Sequence, residues 1–149
     1  MSAQPQSHDA LTGLEQLRAL LGAGRKSGIG TTLDFKLVDV QQGSAAFEGT
    51  PGEHAYNPIG TIHGGYAATL LDSACGCAVH SALSATQTYT TLELKIAYVK
   101  AMTKDTGPVR AEGRIISMGR RVAFAEATLK DPSGRLYATA TSTLLVIEK

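Results

Sequence analysis

From Asn57 to Asp72 the chain reads Asn-Pro-Ile-Gly-Thr-Ile-His-Gly-Gly-Tyr-Ala-Ala-Thr-Leu-Leu-Asp. His63-Gly64-Gly65 stands where a loop rich in proline and glycine gives way to an apolar run reaching Leu83. That change predicts a helix opening at His63. The first backbone N–H groups of a helix have no intrahelical acceptor and lie at the positive end of its dipole. Glycine has no Cβ to hold a ligand away from that backbone. Gly64 is therefore a candidate donor to an oxyanion, with Gly65 as a substrate contact beside it. Asp72 puts a carboxylate in the same apolar run, which costs free energy unless the acid is paired or used. An oxyanion donor and a carboxylate suit attack on an activated acyl carbon, with the acid as nucleophile or as general base for water.

Helical rise separates Gly64 from Asp72 by about 12 Å. One carbonyl cannot touch both. For the two to cooperate, a second subunit must lay its helix antiparallel alongside, and an isologous dimer then makes two equal composite sites. Each residue alone also has a plainer reading. Asp72 can face solvent or a core hydroxyl, and the glycines can mark a close helix–sheet contact. His63 can be a cap, and Asn57 a turn residue. They point to chemistry only as a set.

The elements that must position them follow from periodicity. Residues 1–10 are polar and are expected to form a disordered tail. Leu11, Leu14, Leu17, Leu20 and Leu21 predict a helix over 11–22, ended by Gly22, Gly24 and Gly28-Ile29-Gly30. From Thr31 the period becomes two, and a turn at Gln42-Gly43 predicts a hairpin with Ser44–Gly49. Residues 50–61 form a loop. The helix after His63 is built from small residues (Ala67, Ala68, Ser73, Ala74, Gly76, Ala78), as close packing on a sheet requires. Beyond it, Thr90, Leu92, Leu94, Ile96 and Tyr98 share one strand face, with Thr91, Glu93 and Lys95 opposite. Strands over Val109–Ile116, Arg121–Lys130 and Arg135–Ile147 follow, joined by turns at Met118–Arg120 and Asp131–Gly134. The four strands predict one antiparallel meander. The expected class is α+β, an antiparallel sheet wrapped around a long central helix, with an extra N-terminal helix.

The 149 residues suit one domain over 1–149. Fourteen basic against thirteen acidic residues give a net charge of +1 with no basic run, which argues against a nucleic-acid partner. The longest apolar stretch holds Asp72 and His80, so no membrane span is expected. The first residues lack the basic and apolar regions of a secretory leader, and a cytoplasmic protein is expected. Cys75 and Cys77 have no second pair for zinc and are too close to bridge without strain; both are expected to be reduced and buried. No metal-spaced His/Cys/acid cluster and no G-x-S-x-G elbow occur, so neither metal nor cofactor is expected.

His-Gly-Gly, an acid nine positions after the histidine and an asparagine six before it resemble the hotdog-fold acyl-CoA thioesterases of the PaaI type, which include phenylacetyl-CoA and hydroxybenzoyl-CoA thioesterases. The resemblance covers roughly residues 30–147, including the strand Thr91-Leu92-Glu93-Leu94-Lys95-Ile96-Ala97-Tyr98. It implies a hotdog fold, an acyl-CoA substrate whose coenzyme A is the only cofactor-like moiety, and a homodimer at least, arranged as a dimer-of-dimers tetramer. It also implies roles: Gly64 N–H polarises the thioester carbonyl, Asp72 of the partner subunit is nucleophile or base, and Asn57 and His63 orient water, substrate or loop. Thr91 stands where the family uses a hydroxyl near the acid. A related branch has glutamate at the place of Asp72 and threonine four residues on. Gly76 occupies that second place, so the aspartate branch is the better match. Arg120 and Arg121 are candidate contacts for the CoA phosphates, with Lys100 and Lys104 behind them. Tyr66, Leu70 or Tyr89 would line the acyl pocket. Two rival readings remain: a hotdog enoyl-CoA hydratase using Glu53 and His63 around Asn57-Pro58, and a non-catalytic acyl-CoA-binding domain.

Overall fold

The computed structural model describes residues 11–149; the expected tail over 1–10 lies outside them. Helix α1 (Gly13–Gly22) starts at Thr12, whose hydroxyl accepts from the Glu15 N–H while the Glu15 carboxylate accepts from the Thr12 N–H. This reciprocal cap satisfies two orphan donors. The α1 leucines face inward, Leu17 fully and Leu14, Leu20 and Leu21 in part. The Gly13 N–H donates to Leu83 O at 3.0 Å, and Gln16 Oε1 meets His80 Nε2 at 2.9 Å. The glycines at 28–30 do more than end α1. They open a second short helix, α2 (Gly28–Leu33), capped by the Ser27 hydroxyl. It closes at Asp34 in the left-handed region (φ 62°), a conformation Asp tolerates better than most residues. The first strand therefore begins at Phe35 rather than Thr31.

Six strands form one antiparallel sheet: β1 (Phe35–Gln41), β2 (Ser44–Gly49), β3 (Gln87–Tyr98), β4 (Val109–Met118), β5 (Val122–Lys130) and β6 (Leu136–Glu148). Their order is β1-β2-β4-β5-β6-β3. The expected four-strand meander is thus only β4-β5-β6. Strand β3 pairs with β6 at the far edge, and β4 pairs with β2. The connection over residues 99–108 is long enough to pass two strands, and alternation along each strand says nothing about which neighbour it takes. Strand β3 also carries a bulge between Thr91 and Glu93. The extra residue reverses the alternation. Tyr89 and Thr91 are half-buried together with Leu94 and Ile96, while Thr90 and Leu92 are exposed. The expected grouping of faces holds on one side of Leu92 and inverts on the other.

Helix α3 (Gly64–His80) lies across the inner face of the sheet and ends one turn before the expected Leu83. Ala67, Leu70, Leu71, Ala74 and Cys75 are buried in one core with Ala111, Ala123, Ala125 and Leu129 of the sheet. The sheet supplies alanines where larger side chains would push the helix off. The tightest point is Gly113 on β4, where a Cβ would overlap the Ala74 carbonyl. Among the described residues no helix is long and apolar enough to cross a membrane.

Two predictions follow from this packing. Gly113→Ala forces backbone against backbone and is expected to cost about 3 kcal/mol or more, read as a lowered denaturation midpoint. Burial, with the Lys149 charge adding to it, pushes the His80 pKa below its ordinary 6.5. The unfolded chain then binds the proton more readily than the folded one. Stability is expected to fall as pH drops through 6.5 toward the folded value. His80→Gln is expected to flatten that dependence in denaturation curves taken from pH 8 to pH 5.

Candidate active site

The loop before α3 is closed by its own polar groups. Asn57 Oδ1 accepts from the N–H groups of Ile59 and Thr61, both at 3.1 Å, and its amide donates to Thr61 Oγ1 at 2.9 Å. The Asn57 side chain is thereby committed to shaping the turn. Further bonds from Ile62 N–H to Met102 O (2.9 Å) and from His63 N–H to Ala55 O (2.7 Å) tie the loop to its neighbours. His63 is the N-cap of α3. Its Nδ1 accepts from the Gly65 N–H at 2.7 Å, which leaves the ring proton on Nε2. The N–H of Gly65, the expected substrate contact, is therefore occupied. The Gly64 N–H meets no acceptor among the described residues. Tyr98 Oη donates to Gly64 O at 2.7 Å and its ring lies against the Gly64 Cα, fixing that peptide. Gly64 opens into a cavity of about 290 Å3 shared with Ala67, Tyr98, Lys100, Met102 and Tyr137.

Asp72, two turns further along α3, faces a different cavity, of about 270 Å3. Thr91 Oγ1 donates to Asp72 Oδ1 at 3.0 Å. The β3 bulge makes this bond: without it, Thr91 would point to the outer face. No cation lies within ion-pairing distance of Asp72 among the described residues. The walls of the cavity are Leu20 from α1, Phe35 and Leu37 from β1, Phe47 from β2, Cys77 from α3 and Tyr89 from β3. Phe35 and Phe47 pack edge to face with centroids 5.9 Å apart. The Gly64 and Asp72 cavities have no lining residue in common.

Other expected residues fall elsewhere. Tyr66 and Leu70 lie in the core, 2% and 0% exposed, and line neither cavity; of the three residues expected at the acyl pocket only Tyr89 reaches one. Arg120 and Arg121 sit exposed at the β4–β5 turn and also line neither. Lys100 does line the Gly64 cavity, whereas Lys104 pairs with Glu53 at 3.2 Å. Cys75 is buried and Cys77 partly so. Burial, with the Asp72 charge adding to it, raises both thiols to about 12, which leaves them un-ionised and unreactive near neutral pH. Tyr98, Arg25, Lys26 and Lys36 were not anticipated at either cavity. In the sequence the glycines around Arg25 and Lys26 only end the first helix, and the folded chain brings residues 25–27 to the same cavity as Asp72.

The profile of the thioesterase superfamily matches residues 59–138. An archaeal protein of Saccharolobus solfataricus that bears an esterase name is 32% identical over 108 residues, 72% of this chain and 75% of that protein. A protein of Listeria monocytogenes named 1,4-dihydroxy-2-naphthoyl-CoA hydrolase is 23% identical over 122 residues, 82% of this chain and 98% of that one. Among solved structures, a thioesterase from Haemophilus influenzae superposes with a TM-score of 0.78 at 19% identity, covering 89% of this chain and 90% of that chain.

Proposed function

The chain belongs to the thioesterase superfamily and is a thioester hydrolase, and from that premise we propose that it hydrolyses acyl-CoA thioesters at sites built by two subunits. One observation carries the reading. Among the described residues the Gly64 N–H has no acceptor and Asp72 no cation, and the two open into separate cavities of one chain. Neither half is a site alone. An antiparallel partner helix would set one subunit's Gly64 opposite the other's Asp72 and join the cavities in pairs. The CoA part of the reading draws on the name of the Listeria relative. The resulting unit is a homodimer at least, with two dimers making a tetramer. A reducing cytoplasm, where thiols such as Cys75 and Cys77 stay free, is the compartment we assign to it.

In this site the thioester oxygen accepts from the Gly64 N–H, which stabilises the charge that develops as the carbonyl carbon becomes tetrahedral. Thr91 holds Asp72 Oδ1 and leaves Oδ2 for the reaction. As a base, Asp72 takes a proton from water while the water oxygen bonds to the acyl carbon. As a nucleophile, it forms a mixed anhydride that water then opens. In both routes the C–S bond breaks, CoA leaves as thiolate and collects a proton, and the free acid remains. His63 and Asn57 act through the backbone: His63 seats the helix start, and Asn57 fixes the loop that delivers it. The hydratase alternative would need Glu53 beside His63, but Glu53 is exposed, pairs with Lys104 and lines neither cavity.

Asp72→Asn is expected to fold and assemble but to lose about a hundredfold or more in kcat on acyl-CoA substrates. Thr91→Val is expected to cost about tenfold. Free-thiol detection over an acyl-CoA panel measures both, and full activity in Asp72→Asn overturns the mechanism. Shared sites predict a second result. Equal amounts of Asp72→Asn and Gly64→Pro chains, the latter lacking the N–H at a first helical position that tolerates proline, are each expected to be inactive alone and, unfolded and refolded together, to recover about a quarter of wild-type activity. Half of the dimers then pair one chain of each kind, and each such dimer keeps one intact site. No recovery places both groups in one subunit's site.

A further inference from the structure

Tyr98, the last residue of β3, is an exposed aromatic that nonetheless stands against the start of α3. Its place is fixed by the end of the sheet. It pairs with Ala138 of β6, and the N–H groups of Val99 and Lys100 both donate to Tyr137 O, at 2.9 and 3.1 Å. A Cβ on Gly64 would lie 2.9 Å from Tyr98 Oη and 3.0 Å from Cζ, so the ring covers the Gly64 Cα. A phenylalanine ring would give the same cover. What the hydroxyl adds is one bond, its donation to Gly64 O at 2.7 Å. Gly64 O and the Gly65 N–H are the two ends of one peptide unit, and that N–H donates to His63 Nδ1, also at 2.7 Å. Phenol, peptide and imidazole thus form a single hydrogen-bonded chain. In such a chain each bond polarises the next: a carbonyl that accepts a bond draws electron density from its own peptide nitrogen and makes that N–H a stronger donor. At the far end, Nδ1 must keep its lone pair to accept, so the ring proton stays on Nε2. Nε2 has no partner among the described residues, and His63 lines the same cavity as Gly64 and Tyr98.

We propose that Tyr98 is a positioning residue of the reaction: through the Gly64–Gly65 peptide its hydroxyl holds His63 as the Nε2–H tautomer, which makes that N–H a second donor to the cavity beside the Gly64 N–H. The proposal rests on the reading of Gly64 as the donor to the thioester oxygen. The tautomer decides the sign of the contact. With the proton on Nε2, the ring presents a positive edge that stabilises the oxygen as its charge develops. With the proton on Nδ1, Nε2 would present a lone pair and repel that oxygen, and the Gly65 N–H would lose its acceptor. The chain of bonds also answers a local weakness. Two successive glycines admit a ligand to the backbone, but they leave that backbone the freest to rotate. The peptide between them is held at its carbonyl by Tyr98 and at its N–H by His63, so it cannot turn without breaking both bonds. The neighbouring Gly64 N–H keeps its direction as a result. The sheet edge thereby restores the rigidity that the glycines give up.

Tyr98→Phe keeps the ring over Gly64 and removes only the hydroxyl. By free-thiol detection on a cleaved acyl-CoA it is expected to lower kcat by about three- to tenfold, with KM within about twofold of wild type. In 15N-labelled protein the Gly65 amide proton is expected to move upfield as its bond to Nδ1 weakens, and the two His63 ring nitrogens to shift toward the average of the two tautomers. A second arm is a double-mutant cycle with His63→Asn, whose side-chain oxygen can still cap the helix but which has no tautomer to hold. In that background Tyr98→Phe is expected to cost less than about twofold. Wild-type kcat in Tyr98→Phe overturns the proposal. So does a fall in kcat with the Gly65 and His63 resonances unmoved, or a fall of the same size in both backgrounds, because Tyr98 then does not act through His63. The hydrolase reading fails separately, if the wild-type protein cleaves no acyl-CoA. The resonances then decide the relay alone: movement in Tyr98→Phe upholds it and none overturns it.

Discussion

Helix α3 lies so close to β4 that there is no room for a methyl group between Gly113 and the Ala74 carbonyl. Much else in the molecule follows from that approach. It demands alanine at Ala111, Ala123 and Ala125 on the facing strands, all 0% exposed, and small residues along the helix. It holds α3 as a rigid rod, so that Gly64 and Asp72 keep a fixed separation of about 12 Å. It also decides what lies at each end of the rod. Tyr98 covers the helix start, while Thr91 and Tyr89 flank the third and fourth turns, all three from the single edge strand β3. Helix geometry thus sets the spacing of Gly64 and Asp72, and the close packing sets what faces each of them.

Local features of this arrangement were legible in the sequence. The helix start at His63, the small-residue face, the acid at Asp72 and the turns at Gln42-Gly43 and Asp131–Gly134 each depend on residues a few positions apart. The capping role of His63 and the turn role of Asn57 were visible for the same reason, and the structure gives both side chains hydrogen bonds of that kind. The distance between Gly64 and Asp72 needed only helix geometry.

Long-range features were not legible. Strand β3 looks in sequence like the first member of a meander, because alternation gives a strand its faces and not its neighbours. Its bulge at Leu92 leaves no local signature, yet it turns Thr91 from the outer surface toward Asp72. Arg120 and Arg121 stand out as adjacent cations, but their turn lies away from both cavities. Arg25, which lines one, stands just before a short helix that the glycines at 28–30 disguise as a linker. Tyr66, expected at the acyl pocket, is two residues along the helix from Gly64, a rotation of about 200° that aims it at the core.

Helix α1 and residues 25–27 after it form part of the wall of the Asp72 cavity and precede residues 59–138, which match the superfamily profile. The acid and the outer wall of its cavity are therefore written in different parts of the chain. The first hangs on the buried helix and tolerates little change. The second is carried largely on an exposed segment anchored through Gly13 and Gln16. Such a division lets the outer segment drift, lengthen or be exchanged for another while the inner frame goes on folding, so that one catalytic scaffold can be retuned by editing its margin.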